Sequence, residues 1–150
     1  EKATAALKNI KKTFPDGKNL GAMKKEKFVV EYNLKSVSLP LLWTYIGTVN
    51  GLADWFADDV KSDGKIFTFY WNKTPQQAQQ TAIRAGNYIR FRWMEDDPNE
   101  KTFFELRIAA SELTNDTVLS ITDFAAAEDI SDSKELWDHQ VDSLRRKLGV

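Results

Sequence analysis

Cysteine is absent from this chain of 150 residues, so disulfides and thiolate metal sites are excluded. There is a single histidine, His139, too few for an imidazole cluster. No apolar run approaches the ~20 residues that a membrane-spanning helix requires. No secretory leader with a cleavage pattern is read either, so the expected location is cytoplasmic. An excess of charge of one sign is also missing: 21 Lys and Arg stand against 22 Asp and Glu. A net charge of −1 supplies no field that would gather nucleic acid. Phosphate-cradling glycine loops, a nucleophile elbow and a catalytic triad are not found. The acidic stretch "EDDPNE" (residues 95–100) lacks EF-hand spacing and contains Pro98, so it reads as a solvated hairpin turn. No metal, cofactor or catalytic residue is expected.

Aromatic residues are what the chain has in quantity: nine Phe, five Trp and four Tyr. Each can bury roughly 150–250 Å², which points to thick packing or to a lined pocket.

Residues 1–22 differ from the rest. Ala3, Ala6, Leu7, Ile10 and Phe14 share one helical face, "PDGKN" supplies a turn, and five Lys against Glu1 and Asp16 make the segment basic. Met23 followed by "KKEK", with "GA" before it, resembles the junction left by a cloning vector. The segment therefore reads either as an appended basic piece or as a native helix, and residues 23–150 as a single domain.

From Lys27 the pattern has a period of two. In "KFVVEYNL", Phe28, Val30, Tyr32 and Leu34 face one way, which predicts a first strand. "SLPLLWTYIG" then predicts a helix with Ser38 as N-cap, Pro40 in its first turn and Gly47 at its end. "NGLADWF" predicts a second short helix ending near Trp55 and Phe56, although Asn50-Gly51 could also turn a hairpin. Asp63-Gly64 is a strong hairpin signal, with Phe67, Phe69 and Trp71 on one face of the strand that follows. "TPQQAQQTAIRAG" favours a helix by propensity and a strand by context; it is read here as a strand. Three alternating strands come next, carrying Ile89, Phe91 and Trp93, then Phe104, Leu106 and Ile108, then Leu119 and Ile121. A final helix is expected near "SDSKELW", with Ser131 or Asp132 as N-cap and Asp132–Glu135 as a capping box. It carries Trp137, Val141, Leu144 and Leu148 on one face, and Gly149 closes it.

This order of elements, with "LPLLWTYIGTVNGLADWFADDVKSDGKIFTFYW" and the ending "ELWDHQVDSLRRKLG", resembles the START-like (helix-grip) superfamily. Within it, the chain is most similar to the branch named for the activator of the heat-shock-protein-ninety ATPase. Pro40 with Trp43, then Trp55, then Gly64 with Phe67 carry the likeness, which spans roughly residues 27–149. The resemblance implies an α+β helix-grip fold: a curved antiparallel sheet wrapped around a long C-terminal helix, with two short helices after the first strand. It also implies a space between sheet and helix that side chains fill or a ligand occupies. The expected lining is Trp55, Phe67, Phe69, Trp71, Ile89, Phe91, Trp93, Phe104, Leu106, Ile121, Asp123, Trp137, Val141 and Leu144.

Three functions follow from the resemblance. The favoured one is binding of a small hydrophobic or amphipathic molecule. The others are a co-chaperone-like protein-interaction module and a cyclase- or dehydratase-type enzyme, the last being least favoured. An enzyme would need an acid or base inside the cavity. Asp123 shares parity with Leu119 and Ile121, so its carboxylate should face inward, either to a ligand or to backbone N–H groups. His139 lies two residues from Trp137, about 200° around a helix from it, and should face solvent. Arg90 and Arg92 alternate with Phe91 and Trp93, which puts them on the outer face beside acids such as Glu105.

Overall fold

The computed structural model describes residues 24–150. The amphipathic segment expected over residues 1–22 lies outside them. Strand β1 (Lys25–Asn33) leads into helix α1 (Leu39–Ile46) and helix α2 (Val49–Trp55). Six strands follow: β2 (Asp59–Asp63), β3 (Ile66–Trp71), β4 (Thr74–Arg84), β5 (Tyr88–Trp93), β6 (Phe104–Ala110) and β7 (Thr117–Ala126). A single 3₁₀ turn, Ala127–Asp129, then opens into helix α3 (Ile130–Leu148).

The seven strands form one antiparallel sheet in the order β1-β7-β6-β5-β4-β3-β2. Its registers carry the period of two across the molecule. Val30 lies opposite Ile121, Ile121 opposite Leu106, and Leu106 opposite Ile89. A second row joins Phe104 to Phe91, and Trp93 lies opposite Ala78, which lies opposite Phe67. One side of each strand, β4 with its inward Gln76 and Gln80 excepted, is therefore apolar and turned toward the helices, and these side chains form one continuous buried core.

Local chemistry fixes the element ends. The Ser38 hydroxyl accepts a hydrogen bond from the Leu41 N–H, and the Thr48 hydroxyl accepts one from the Gly51 N–H. Each satisfies a backbone donor that the first helical turn leaves without a partner. Asn50-Gly51 thus lies inside α2 and turns no hairpin. At Gly64 and Gly86, φ is +61° and +77°, the left-handed values required by the β2–β3 and β4–β5 turns.

The start of α3 differs from the sequence expectation. The helix begins at Ile130 with Asp129 at the N-cap, and Asp129 makes no capping side-chain bond. Asp132 and Glu135 lie within the helix, so the expected capping box does not form. The 3₁₀ turn running straight into the helix supplies the entry in its place, so the N-cap falls two or three residues before the expected Ser131 or Asp132. Gly149 ends the helix as expected, with φ +78°.

Candidate functional site

The inner face of the sheet divides into two kinds of surface. Toward β1 and β7 it is aliphatic, with Leu106, Ile108, Leu119 and Ile121 all buried. Toward β3, β4 and β5 it is aromatic. Phe67 and Phe91 rings lie 5.0 Å apart, Phe91 and Phe104 5.1 Å, and Trp93 and Phe104 5.0 Å. The Phe67–Phe91 pair meets edge-on, and the Phe91–Phe104 and Trp93–Phe104 pairs are stacked.

Phe56, the residue that ends α2, is the hub of this aromatic region. Its ring touches Trp55, Phe69, Trp71, Phe104 and Trp137, and it stacks on Trp137 at 5.8 Å with 16° between the planes. Its carbonyl accepts two hydrogen bonds, from the Trp71 indole N–H and from the Gln140 amide, both at 3.0 Å. One backbone oxygen thus ties strand β3 to helix α3. Sequence reading missed Phe56 as a site residue because it follows the helix and belongs to no periodic face; the adjacent pair Trp55-Phe56 before a buried Ala57 is the only signal it gives.

Strand β4 explains how the rings meet. Its inward residues are Gln76, Ala78 and Gln80, all small or polar, between two aromatic strands. Trp71 on β3 and Trp93 on β5 approach to 6.3 Å, and Phe69 and Trp93 to 5.8 Å. With β4 between them, these contacts can be made only over its inner face. A β-bulge between Gln80 and Ala82 then shifts the register by one residue, so that the odd-numbered Ile83 lies opposite Ile89.

Every expected lining residue lies on the inner side, and all but Asp123 are buried. Trp55, Phe69, Trp71, Ile89, Phe91, Leu106, Ile121, Val141 and Leu144 are fully enclosed, and Phe67, Trp93, Phe104 and Trp137 nearly so. The rings of Trp55, Phe67, Phe69, Trp71, Phe91, Trp93, Phe104 and Trp137 form one connected cluster through Phe56. Ile89, Leu106 and Ile121 form the neighbouring aliphatic row, and Val141 and Leu144 face the sheet from α3.

Asp123 is half-buried and keeps its parity with Leu119 and Ile121 through Ala125. One carboxylate oxygen accepts the Phe124 N–H at 2.7 Å and the other accepts the Trp137 indole N–H at 2.9 Å. The carboxylate therefore anchors α3 to β7. At the next helix position the Tyr32 hydroxyl of β1 donates to Asp138 at 2.7 Å. Burial, reinforced by that carboxylate, raises the Tyr32 hydroxyl well above the usual phenol range. His139 is exposed on the helix.

The outer face carries the arginines, as their alternation requires. Arg90 donates twice to one Glu105 oxygen, at 3.1 and 2.9 Å, and Arg107 donates to the other at 3.1 Å. The Arg90 guanidinium also lies 4.0 Å over the Phe103 ring, and that of Arg107 4.2 Å over Tyr88. Arg92 holds the "EDDPNE" turn through the carbonyls of Thr102 and Asp97. No group of His, Asp or Glu suited to a metal ion occurs among the described residues. No described helix is long and apolar enough to cross a membrane.

The family model of the START-like superfamily domain matches residues 22–150. Among solved structures, a Bacteroides fragilis protein solved in solution is 53% identical, with a TM-score of 0.60 over 83% of this chain and 92% of that one. An Aha1 dimer from Colwellia psychrerythraea is 16% identical, with a TM-score of 0.67 over 82% of this chain and 96% of that one. A protein of the dynemicin biosynthetic locus is 13% identical, with a TM-score of 0.64 over 84% of this chain and 47% of that one. The latter two likenesses show the fold alone. No curated protein matches.

Proposed function

This chain belongs to the START-like superfamily, whose members commonly bind hydrophobic ligands, and from that premise we propose that it binds a small hydrophobic or amphipathic molecule between the sheet and α3. The observation that carries the proposal is the aromatic wall over β4. Eight of the expected lining residues join there in one ring cluster around Phe56. Flat apolar walls with few polar groups are what sites for small apolar molecules use. The lining proposed is the inner-face set above, with Phe56 added.

The other readings have less support. On the outer face the charged groups of Arg90, Glu105 and Arg107 are engaged with one another, which weakens that face as a partner surface. Asp123 and His139, the groups an enzyme would draw on, anchor Trp137 and face solvent respectively.

Native mass spectrometry of the purified protein, followed by thermal-shift screening of fatty acids and fused-ring aromatics, tests the proposal. At least one apolar class should raise the melting temperature in a saturable way. A panel that produces no shift, together with no bound small molecule by mass, would overturn it.

A further inference from the structure

Gln76 is 97% buried on the inner face of β4, and its side-chain oxygen has no hydrogen-bond partner among the described residues. Phe69 lies directly opposite it on β3, Trp71 is diagonal to it there, and Trp93 on β5 lies opposite the next inward residue, Ala78. An amide oxygen has thus been placed among aromatic rings with nothing to accept from. Leaving such a group unmet costs about 1–3 kcal/mol, and a residue such as Met or Leu at this position would remove the cost. The strand needs no polar side chain here, since the outward Gln77 and Gln79 already supply its solvent face.

We infer that the Gln76 amide oxygen is the polar recognition group of the apolar site, and that the site takes a flat, uncharged molecule bearing a hydroxyl or N–H donor. This rests on the ligand-binding reading above. Each property of the molecule follows from a neighbour of Gln76. The converging rings of Phe69, Trp71 and Trp93 favour an aromatic partner. No charged side chain shares the inner face beside Gln76 among the described residues, and a buried charge without a partner is disfavoured. The unmet acceptor requires a donor, which discriminates against a molecule of equal shape that lacks one.

The test compares naphthol with methoxynaphthalene, a pair alike in ring and differing in the donor. Binding is followed by tryptophan fluorescence in the full chain and in the Gln76→Met variant. The wild type should hold naphthol about tenfold more tightly, the ratio that one neutral hydrogen bond to a buried acceptor supports. In Gln76→Met the ratio should fall to about one, with methoxynaphthalene affinity kept and the melting temperature raised. Equal wild-type affinities, or an unchanged ratio in the variant, would overturn the role of Gln76 and leave the apolar site standing. If neither compound binds, this inference fails, and the ligand-binding reading is decided separately by the fatty-acid and fused-ring panel above. The wild-type comparison decides the matter even if the variant does not fold.

Discussion

Glu105 shows how a charge is kept in a place that ordinarily excludes one. Its side chain is only 7% exposed, while those of Arg90 and Arg107 are 38% and 42% exposed. Burial alone would raise its pKa, but the bonds from Arg107 and Arg90 outweigh that and hold the carboxyl below its ordinary range. A depressed folded pKa means that the stabilisation is present above the unfolded value of about 4.3 and is lost as pH falls through the folded value. Glu105→Gln should therefore lower stability by about 1.5–3 kcal/mol at neutral pH. Urea unfolding at a series of pH values checks this, and the gap from wild type should narrow below about pH 4. A gap independent of pH would mean that the carboxylate charge is not what stabilises.

At the scale of elements, the two short helices meet closely at Gly51. A Cβ built there would collide with the Thr44 carbonyl oxygen and lie 2.6 Å from the Tyr45 Cα, both backbone atoms that cannot swing away. Gly51→Ala should destabilise by about 3 kcal/mol or more, since overpacking against backbone leaves no rotamer to relax into. A melting temperature near that of wild type would contradict the close approach. The same glycine shows where sequence reading strains. Asn50-Gly51 spells a hairpin turn, yet the glycine is required by packing between helices, which a local dipeptide cannot reveal.

Strands β3, β5, β6 and β7 were legible because large apolar residues alternate with polar ones, and the registers bear that alternation out. Strand β4 gave almost no contrast: Gln76 faces in and Gln77 out with the same side chain, so only context marked it as a strand. Its bulge is invisible in sequence for the same reason. The start of α3 was misplaced because Ser131, Asp132 and Glu135 spell a capping box, whereas the chain enters the helix through a 3₁₀ turn. Of the inner face, the residues on alternating strands were found and those held by tertiary geometry were not. Phe56 owes its place to contacts across the fold, and no periodicity announces it. Gln140 and Gln76 keep the buried period of α3 and β4 but are polar, so an apolar pattern passes over them.

For the whole molecule, the polar contacts and the apolar core have separate tasks. Asp123 with Trp137, Tyr32 with Asp138, and Gln140 with the Phe56 carbonyl clamp α3 to β7, to β1 and to the end of α2. The apolar interior is thereby held between two fixed layers, its aromatic half over β4 and its aliphatic half toward β1. A ligand in the aromatic half would lie against the indole of Trp93 and those of Trp71 and Trp137, whose N–H groups donate to the Phe56 carbonyl and to Asp123. Those resonances are therefore well-placed reporters. The most direct measurement is a titration of the labelled protein with naphthol, followed through the tryptophan indole N–H signals. The account predicts saturable shifts at Trp71, Trp93 and Trp137, with Trp43 on α1 unmoved. Shifts absent from all three, or confined to outer-face amides such as those of Arg90 and Arg107, would contradict it.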